Sequence, residues 1–112
     1  MKVALPVTNN SLSLHFGHCE KFALYDVSDD GTEIMDKQEL SSPPHEPGAL
    51  PKWLHDQGAT VIIAGGMGSR AQMLFDQNNI QVIVGVSGGE PDVIVRDFLK
   101  GNLVAGSNAC DH

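Results

Sequence analysis

The sequence predicts an α/β fold in which a mixed sheet of five strands carries helices on both faces, in the order β-β-β-α-β-α-β-α. Two observations lead to this prediction. Short apolar runs bounded by turn residues indicate strands, and apolar residues that recur at helical spacing indicate helices in the second half of the chain. With 112 residues, 41% of them hydrophobic, the chain is long enough for one domain with a packed core.

Three predicted strands occupy the first part of the chain. The apolar segment 2–7 is the first, and it ends before the turn-prone residues 8–11. The second covers 21–27, and the Asp30-Gly31 step after it is typical of a hairpin that leads into a third strand over 32–40. This third strand is polar enough to be an exposed edge, at which two chains could pair as a homodimer.

Helices alternate with strands in the second part of the chain. The preceding segment 41–48 is rich in proline and is not expected to form regular structure. Continuous apolar runs are typical of strands buried on both faces. The predicted elements are a helix over 49–57, a strand over 60–64, a helix over 70–77, a strand over 80–84 and a helix that starts at Pro91 and ends at Gly101.

The predicted topology places a ligand site at one edge of the sheet. Right-handed crossovers bring the strands at 60–64 and 80–84 parallel to the first strand, and the two hairpin strands alternate in direction. The C-terminal ends of the first, third, fourth and fifth strands then share one edge, which is where open α/β sheets bind ligands. The loops at this edge are 8–19, 41–48, 65–69 and 85–89.

The charge balance excludes several classes of function. Seven Lys and Arg face fourteen Asp and Glu, which gives a net charge of −7, and the cations are scattered along the chain. This argues against binding to nucleic acid and to anionic membrane surfaces. No apolar run approaches the ~20 residues of a membrane span, and the start of the chain does not resemble a signal peptide. We expect a cytoplasmic protein with reduced thiols.

Histidine and cysteine are concentrated where the predicted site lies. His15, His18 and Cys19 fall in the loop after the first strand, and imidazole and thiolate are ligands for borderline and soft metals. His45, held between prolines in the loop 41–48, is a further candidate ligand or an ordinary surface histidine. Alternatively, His15 caps a turn while His18 and Cys19 pack at the start of the second strand.

A second pair of candidate ligands, Cys110 and His112, lies on a tail over 102–112 that follows the predicted domain 1–101. The last helix carries the chain ~15 Å away from the site, and eleven extended residues span ~36 Å. The tail is therefore long enough to bring both side chains back. The alternatives are a disordered chain end and a disulfide between Cys19 and Cys110.

The glycine-rich loop Gly65-Gly66-Met67-Gly68 precedes a predicted helix at the same edge. Backbone N–H groups at a helix N-terminus can donate hydrogen bonds to sulfide or to an anionic cluster. The loop lacks the GK[ST] of a nucleotide-binding P-loop. Met67 could add a thioether ligand or could pack in the core. The Gly88-Gly89 loop could act in the same way.

Catalytic motifs are missing. A two-metal nuclease needs carboxylates on the central strands, and the predicted strands 3–7 and 61–64 contain none. No GxSxG motif is present, and a hydrolase built from Cys19 and His45 would lack an orienting group and an oxyanion site. We predict that the protein is not an enzyme, which leaves a metal-dependent or thiol enzyme as the weakest alternative.

Four segments resemble the dinitrogenase iron–molybdenum cofactor biosynthesis family, which includes the NifX proteins and the C-terminal domain of NifB. They are Val3-Ala4-Leu5-Pro6-Val7, His15-Phe16-Gly17-His18-Cys19, Ile62-Ile63-Ala64-Gly65-Gly66-Met67-Gly68 and Cys110-Asp111-His112. The resemblance implies a three-layer, ribonuclease-H-like α/β/α fold and the binding or transfer of iron-sulfur or molybdenum-containing clusters. The radical-SAM CxxxCxxC motif of full-length NifB is absent, so the chain looks like a small stand-alone member.

These observations combine into one hypothesis. The protein binds, stores or delivers an iron-sulfur or molybdenum/iron-sulfur cluster as a carrier or scaffold, with proteins that donate and accept the cluster as its partners. Cys19 is the first candidate ligand with His15 and His18 beside it, and the second choices are His45, Cys110 and His112. The alternative is a structural or sensory protein that binds a single Zn²⁺ or Fe²⁺ ion.

Overall fold

The computed structural model describes residues 1–13, 19–42 and 49–103, and within these ranges it contains six strands and three helices. The strands are β1 (Lys2–Thr8), β2 (Ser11–Leu12), β3 (Lys21–Val27), β4 (Ile34–Ser41), β5 (Val61–Ile63) and β6 (Gln81–Ile83). The helices are α1 (Ala49–Asp56), α2 (Ser69–Gln77) and α3 (Pro91–Leu99). In the described part of the chain, no helix is long and apolar enough to cross a membrane.

The strands form one mixed sheet with the order β4-β3-β1-β5-β6, and β2 pairs with β1 outside this series. β1 runs parallel to β5 and antiparallel to β3, while β6 is parallel to β5 and β4 is antiparallel to β3. The predicted mixed sheet and its strand directions are therefore confirmed. The central strand β1 is buried from Val3 to Val7, because both faces of the sheet are covered.

The two faces of the sheet bury separate apolar clusters. On one face Val3, Leu5 and Val7 of β1 pack with Ile94 and Val95 of α3. On the other face, side chains of α1 and α2, including Leu54 and Phe75, pack against Ala4, Phe22 and Ile62. Alternate residues of a strand point to opposite faces, so β1 contributes to both clusters. Helices on both faces make the three-layer architecture that was predicted.

The predicted count of five strands is one short, because the loop after β1 contains the two-residue strand β2. Asn9 and Asn10 have φ angles of 54° and 63°, and two consecutive positive φ angles are typical of a type I′ hairpin turn. The chain therefore folds straight back, and Ser11 and Leu12 pair with Thr8 and Val7. A strand this short produces no apolar alternation that a sequence pattern could show.

The third predicted strand is an edge strand, as expected, and it carries a bulge. The register changes from Asp26 opposite Asp36 to Val27 opposite Ile34, so Met35 is the extra residue and its side chain is 64% exposed. Because of the bulge, Ile34 and Lys37 both face α3. A bulge and several charged side chains are features by which natural edge strands disfavour pairing between molecules.

Candidate functional site

The loops at the C-terminal ends of β1, β4, β5 and β6 meet at one edge of the sheet, and the start of antiparallel β3 lies there too. Backbone hydrogen bonds link the loops from one strand to the next. Leu12 donates to Gly89, Gly85 donates to Gly65, and Ser42 donates to Glu20, over 2.9, 2.9 and 3.2 Å. Within the described residues, segments at this edge are thus joined in pairs by backbone hydrogen bonds.

Cys19 lies at this edge immediately before β3. It is half-buried and packs against the cluster on the α1 and α2 side, with its Sγ 4.0 Å from the Oγ of Ser42. Burial raises the pKa of the Cys19 thiol, and the contact with Ser42 offsets part of that rise. The free thiol is therefore protonated at neutral pH, and it has to release a proton before it can bind a metal.

The other candidate ligands lie outside the described residues. They are His15 and His18 in the segment 14–18, His45 in the segment 43–48, and Cys110 and His112 in the segment 104–112. The residues that flank the first two segments at this edge, Ser13, Cys19 and Ser42, are described. Within the described ranges, no group of three or more His, Cys, Asp or Glu is placed to hold a metal ion.

The first glycine loop is held in place by its side-chain and backbone contacts. Gly65 and Gly66 are buried, and the Met67 side chain is 1% exposed in the core cluster next to α1 and α2. The side-chain amide of Gln72 donates to the Met67 carbonyl over 2.9 Å. The Met67 side chain thus packs in the core, the second of the two roles considered for it.

Gly68 ends this loop at the N-terminus of α2. It has extended backbone angles (φ −63°, ψ 154°), and no side chain caps the helix. A Cβ atom at Gly68 would meet no atom within 4 Å. The first N–H groups of a helix have no partner inside the helix. The start of α2 therefore presents backbone donors beside an open space, which is the property that an anionic ligand would use.

The second glycine loop depends on the backbone freedom of glycine. Gly85, Gly88 and Gly89 have φ angles of 87°, 114° and 120°, whereas none of the glycines at 65, 66 and 68 has a positive φ. The two glycine loops at this edge are therefore shaped by different requirements, a distinction that the glycine pattern alone does not reveal.

His55 lies at the end of α1, toward the opposite edge of the sheet. Its Nδ1 is 3.0 Å from the carbonyl oxygen of Asn78, and the residue is exposed. Because a carbonyl oxygen only accepts, Nδ1 carries the proton in this contact. His55 is therefore an exposed histidine away from the candidate site.

A polar cluster on the α3 side was not found from the sequence. The Tyr25 hydroxyl donates to Asp92 Oδ1, and Lys37 Nζ lies 3.0 Å from the same oxygen and 5.6 Å from the centre of the Tyr25 ring. Burial and the bond to Asp92 raise the pKa of Tyr25, while the bonds from Tyr25 and Lys37 lower the pKa of Asp92. The cluster connects β3, β4 and the first turn of α3.

Known proteins resemble this chain in sequence and in fold. MJ0580, a protein of Methanocaldococcus jannaschii described as uncharacterized, is 33% identical over 108 residues, which is 92% of this chain and 89% of that protein. The crystal structure of PH0822 superposes with a TM-score of 0.86 at 30% identity and covers 94% of both chains. The apo form of the orange protein from Desulfovibrio gigas, at 20% identity, shares the fold with a TM-score of 0.72 over 96% of this chain and 93% of that one.

A family model supports a closer assignment than these pairwise similarities. The model described as dinitrogenase iron-molybdenum cofactor matches residues 1–101. The match includes the first strand, the loop that ends at Cys19 and both glycine loops, which are the parts that build the edge described above. The chain therefore belongs to the dinitrogenase iron–molybdenum cofactor family.

Proposed function

We propose that this protein binds, stores or delivers an iron-sulfur or molybdenum/iron-sulfur cluster at the C-terminal edge of its sheet. The observation that supports the proposal is that Cys19 and both glycine loops lie at the same edge of the sheet. Membership of a family named for the iron–molybdenum cofactor supports this class of cargo over other ligands. The proposed role is that of a carrier or scaffold and not of an enzyme.

Cys19 is the proposed principal ligand, because its thiol is at the edge and only half-buried. His18 is its neighbour in the chain and His15 is three residues further away, so both belong to the proposed first set. His45, Cys110 and His112 are proposed as second choices. Because burial raises the pKa of Cys19, loading should release a proton and should become more favourable as the pH rises.

The first glycine loop is proposed to contribute backbone donors. N–H groups of Gly65, Gly66, Met67 and Gly68 and of the uncapped start of α2 would stabilise the negative charge of cluster sulfides. Met67 would contribute only through its backbone, because its thioether is buried in the core. Such donors hold an anionic cluster without occupying coordination positions on its metals.

A site with few protein ligands suits a carrier. Metal positions that the protein leaves open can be occupied by ligands of a donor or an acceptor protein during transfer. The net charge of −7 would favour partners with basic surfaces around their own cluster sites. A reducing cytoplasm would keep Cys19 available as a thiol.

Anaerobic purification and cluster reconstitution, followed by absorbance spectra and iron, molybdenum, zinc and sulfide analysis, test the proposal. We expect stoichiometric iron and sulfide in the reconstituted protein, and the loss of most of both in Cys19→Ser. His15→Asn and His18→Asn should weaken retention, whereas His55→Asn is the matched control because His55 lies toward the opposite edge.

Two results would overturn the proposal. Colourless protein with one zinc ion and no sulfide after reconstitution would show the mononuclear alternative to be correct. Unchanged iron and sulfide in Cys19→Ser would show that the ligand assignment is wrong, provided that circular dichroism shows the variant to be folded.

A further inference from the structure

The second feature that suggests a ligand is a groove on the α3 face of the sheet, which we call the α3 groove. It has a volume of about 510 Å³ and lies between α3 and the β3–β4 hairpin. The Tyr25 ring, Ile34 and Leu99 form its apolar floor, and three cations line it. These cations are Lys37, Arg96 and Lys100.

The α3 groove is separate from the proposed cluster site. Glu33 and Ile34 belong to the hairpin that follows the C-terminal end of β3, and Leu99 and Lys100 are at the end of α3. Both positions lie toward the edge opposite Cys19, because β3 starts next to Cys19 and runs away from it. Within the described residues one helix covers this face and two cover the other, so the β3–β4 half is left open.

The charges around the groove are unusual for this chain. Three of its seven Lys and Arg line the groove, although the protein has a net charge of −7. Lys37 is paired with Asp92, but Arg96 and Lys100 form no ion pair with any described residue. Arg96 belongs to α3 and Lys100 directly follows the helix, and like charges four positions apart at a helix end repel each other. The negative end of the helix dipole offsets part of this repulsion. Asp92 lies four positions before Arg96 and attracts it electrostatically, whereas Lys100 has no ion-pair partner among the described residues.

We propose that the α3 groove binds an acidic, extended segment of a partner protein. Carboxylates of such a segment would pair with Arg96 and Lys100, and its apolar atoms would cover the floor of the groove. At physiological ionic strength the Debye length is about 8 Å, so the cations in the groove act on a docked segment more strongly than the charges elsewhere on the protein. Glu33 and Asp92 also line the groove and disfavour a compact anion. The proposed ligand is therefore an extended segment that can place its carboxylates at Arg96 and Lys100. This inference does not depend on cluster binding at the other edge.

Titration of the ¹⁵N-labelled protein with a capped oligoglutamate peptide, at physiological ionic strength, tests the inference. We expect amide shifts confined to the groove, at Ile34, Lys37 and Leu99. The double variant Arg96→Ala/Lys100→Ala should bind at least about fivefold more weakly, because two ion pairs are lost. The matched control is Lys52→Ala/Arg70→Ala, which removes two exposed cations from α1 and α2 and changes the net charge equally.

Three outcomes would overturn the inference. Equal weakening in both double variants would show that the peptide responds to overall charge only. Inorganic phosphate that shifts the same amides with the same affinity would show a site for small anions instead of a docking groove. An absence of peptide-induced shifts in the groove of the folded wild-type protein would show that it does not bind acidic segments.

Discussion

The two glycine loops lie side by side at the same edge, yet they are held by different kinds of interaction. The loop at 65–68 is held by the buried Met67 side chain and has no glycine with positive φ. The loop at 85–89 depends on three positive φ angles, and it leads into a helix whose first turn is held by the polar contact of Asp92 with Tyr25. One loop therefore depends on apolar packing, and the other on backbone conformation and hydrogen bonds.

The largest expected effect concerns the apolar contact of the first loop. Met67→Ala should lower the free energy of unfolding by about 3 kcal/mol, because it leaves a cavity in the core. Urea denaturation measures this, and Met73→Ala is the matched control, since Met73 is 56% exposed on α2. The control should change stability by less than about 0.5 kcal/mol. A similar loss in both variants would mean that Met67 does not hold the loop.

The backbone requirement of the second loop gives the next largest effect. Gly89→Ala places a side chain at φ 120°, where strain and not space is the obstacle, because the nearest atom to a Cβ is Ile94 Cδ1 at 3.9 Å. We expect a loss of about 2 kcal/mol in the free energy of unfolding. Gly68→Ala, at φ −63°, is the control and should cost less than about 1 kcal/mol. Equal costs at the two positions would remove the distinction between the loops.

The polar contact after the second loop should make stability depend on pH in the alkaline range. The folded-state pKa of Tyr25 is raised above its usual value, so the stability it contributes is present below about pH 10 and is lost as the unfolded chain ionises above it. Tyr25 is the one tyrosine in the chain, so absorbance at alkaline pH reports its ionisation directly. Ionisation of the native protein near pH 10 would contradict this prediction, and Tyr25→Phe should flatten the alkaline stability loss.

The same contact should also make stability depend on pH in the acid range, where stability should fall as the pH falls. The folded-state pKa of Asp92 is lowered, first by the bond from Tyr25 and then by the bond from Lys37. The contribution of Asp92 to the free energy of unfolding is therefore present above about pH 4. It is lost as the pH falls through the lowered folded-state pKa. Asp92→Asn should reduce the acid sensitivity of unfolding compared with the wild type. An unchanged acid profile would show that this contact does not hold α3.

The smallest expected effect on stability concerns Gly68, at the start of α2. Gly68→Ser should raise the free energy of unfolding by about 0.5 kcal/mol, because the serine hydroxyl can cap the uncapped N-terminus of α2. The same hydroxyl would occupy donors that we propose for cluster sulfides, so cluster retention should fall while stability rises. Unchanged retention would show that these donors do not contact the cluster.

Much of the fold follows from the sequence because most strands are apolar runs that end at turn residues. The site edge follows from strand direction alone, since parallel strands end on the same side. Three features could not be predicted. β2 is too short for a pattern, the extra residue Met35 is set by pairing in the hairpin, and the contact between Tyr25 and Asp92 joins residues 67 positions apart.

The candidate site was predicted less completely than the fold. The sequence indicates which side chains suit a soft metal, but not how deeply each is buried. Cys19 shows the difference, because its half-burial follows from packing against the cluster that α1 and α2 form. The two glycine loops are also similar in amino-acid composition, and only their φ angles distinguish them.

The hairpin turn at Asn9 and Asn10 has a consequence for the entropy of loop closure. Without it, the twelve residues 9–20 would connect β1 to β3 as one free loop. Hydrogen bonds from Ser13 to Pro6 and from Glu20 to Val7 instead hold these two residues against β1, with six residues of chain between them. Closing a loop of six residues instead of twelve saves about 0.6 kcal/mol of chain entropy. If His15 or His18 binds a metal, the chain would therefore lose less conformational entropy on binding.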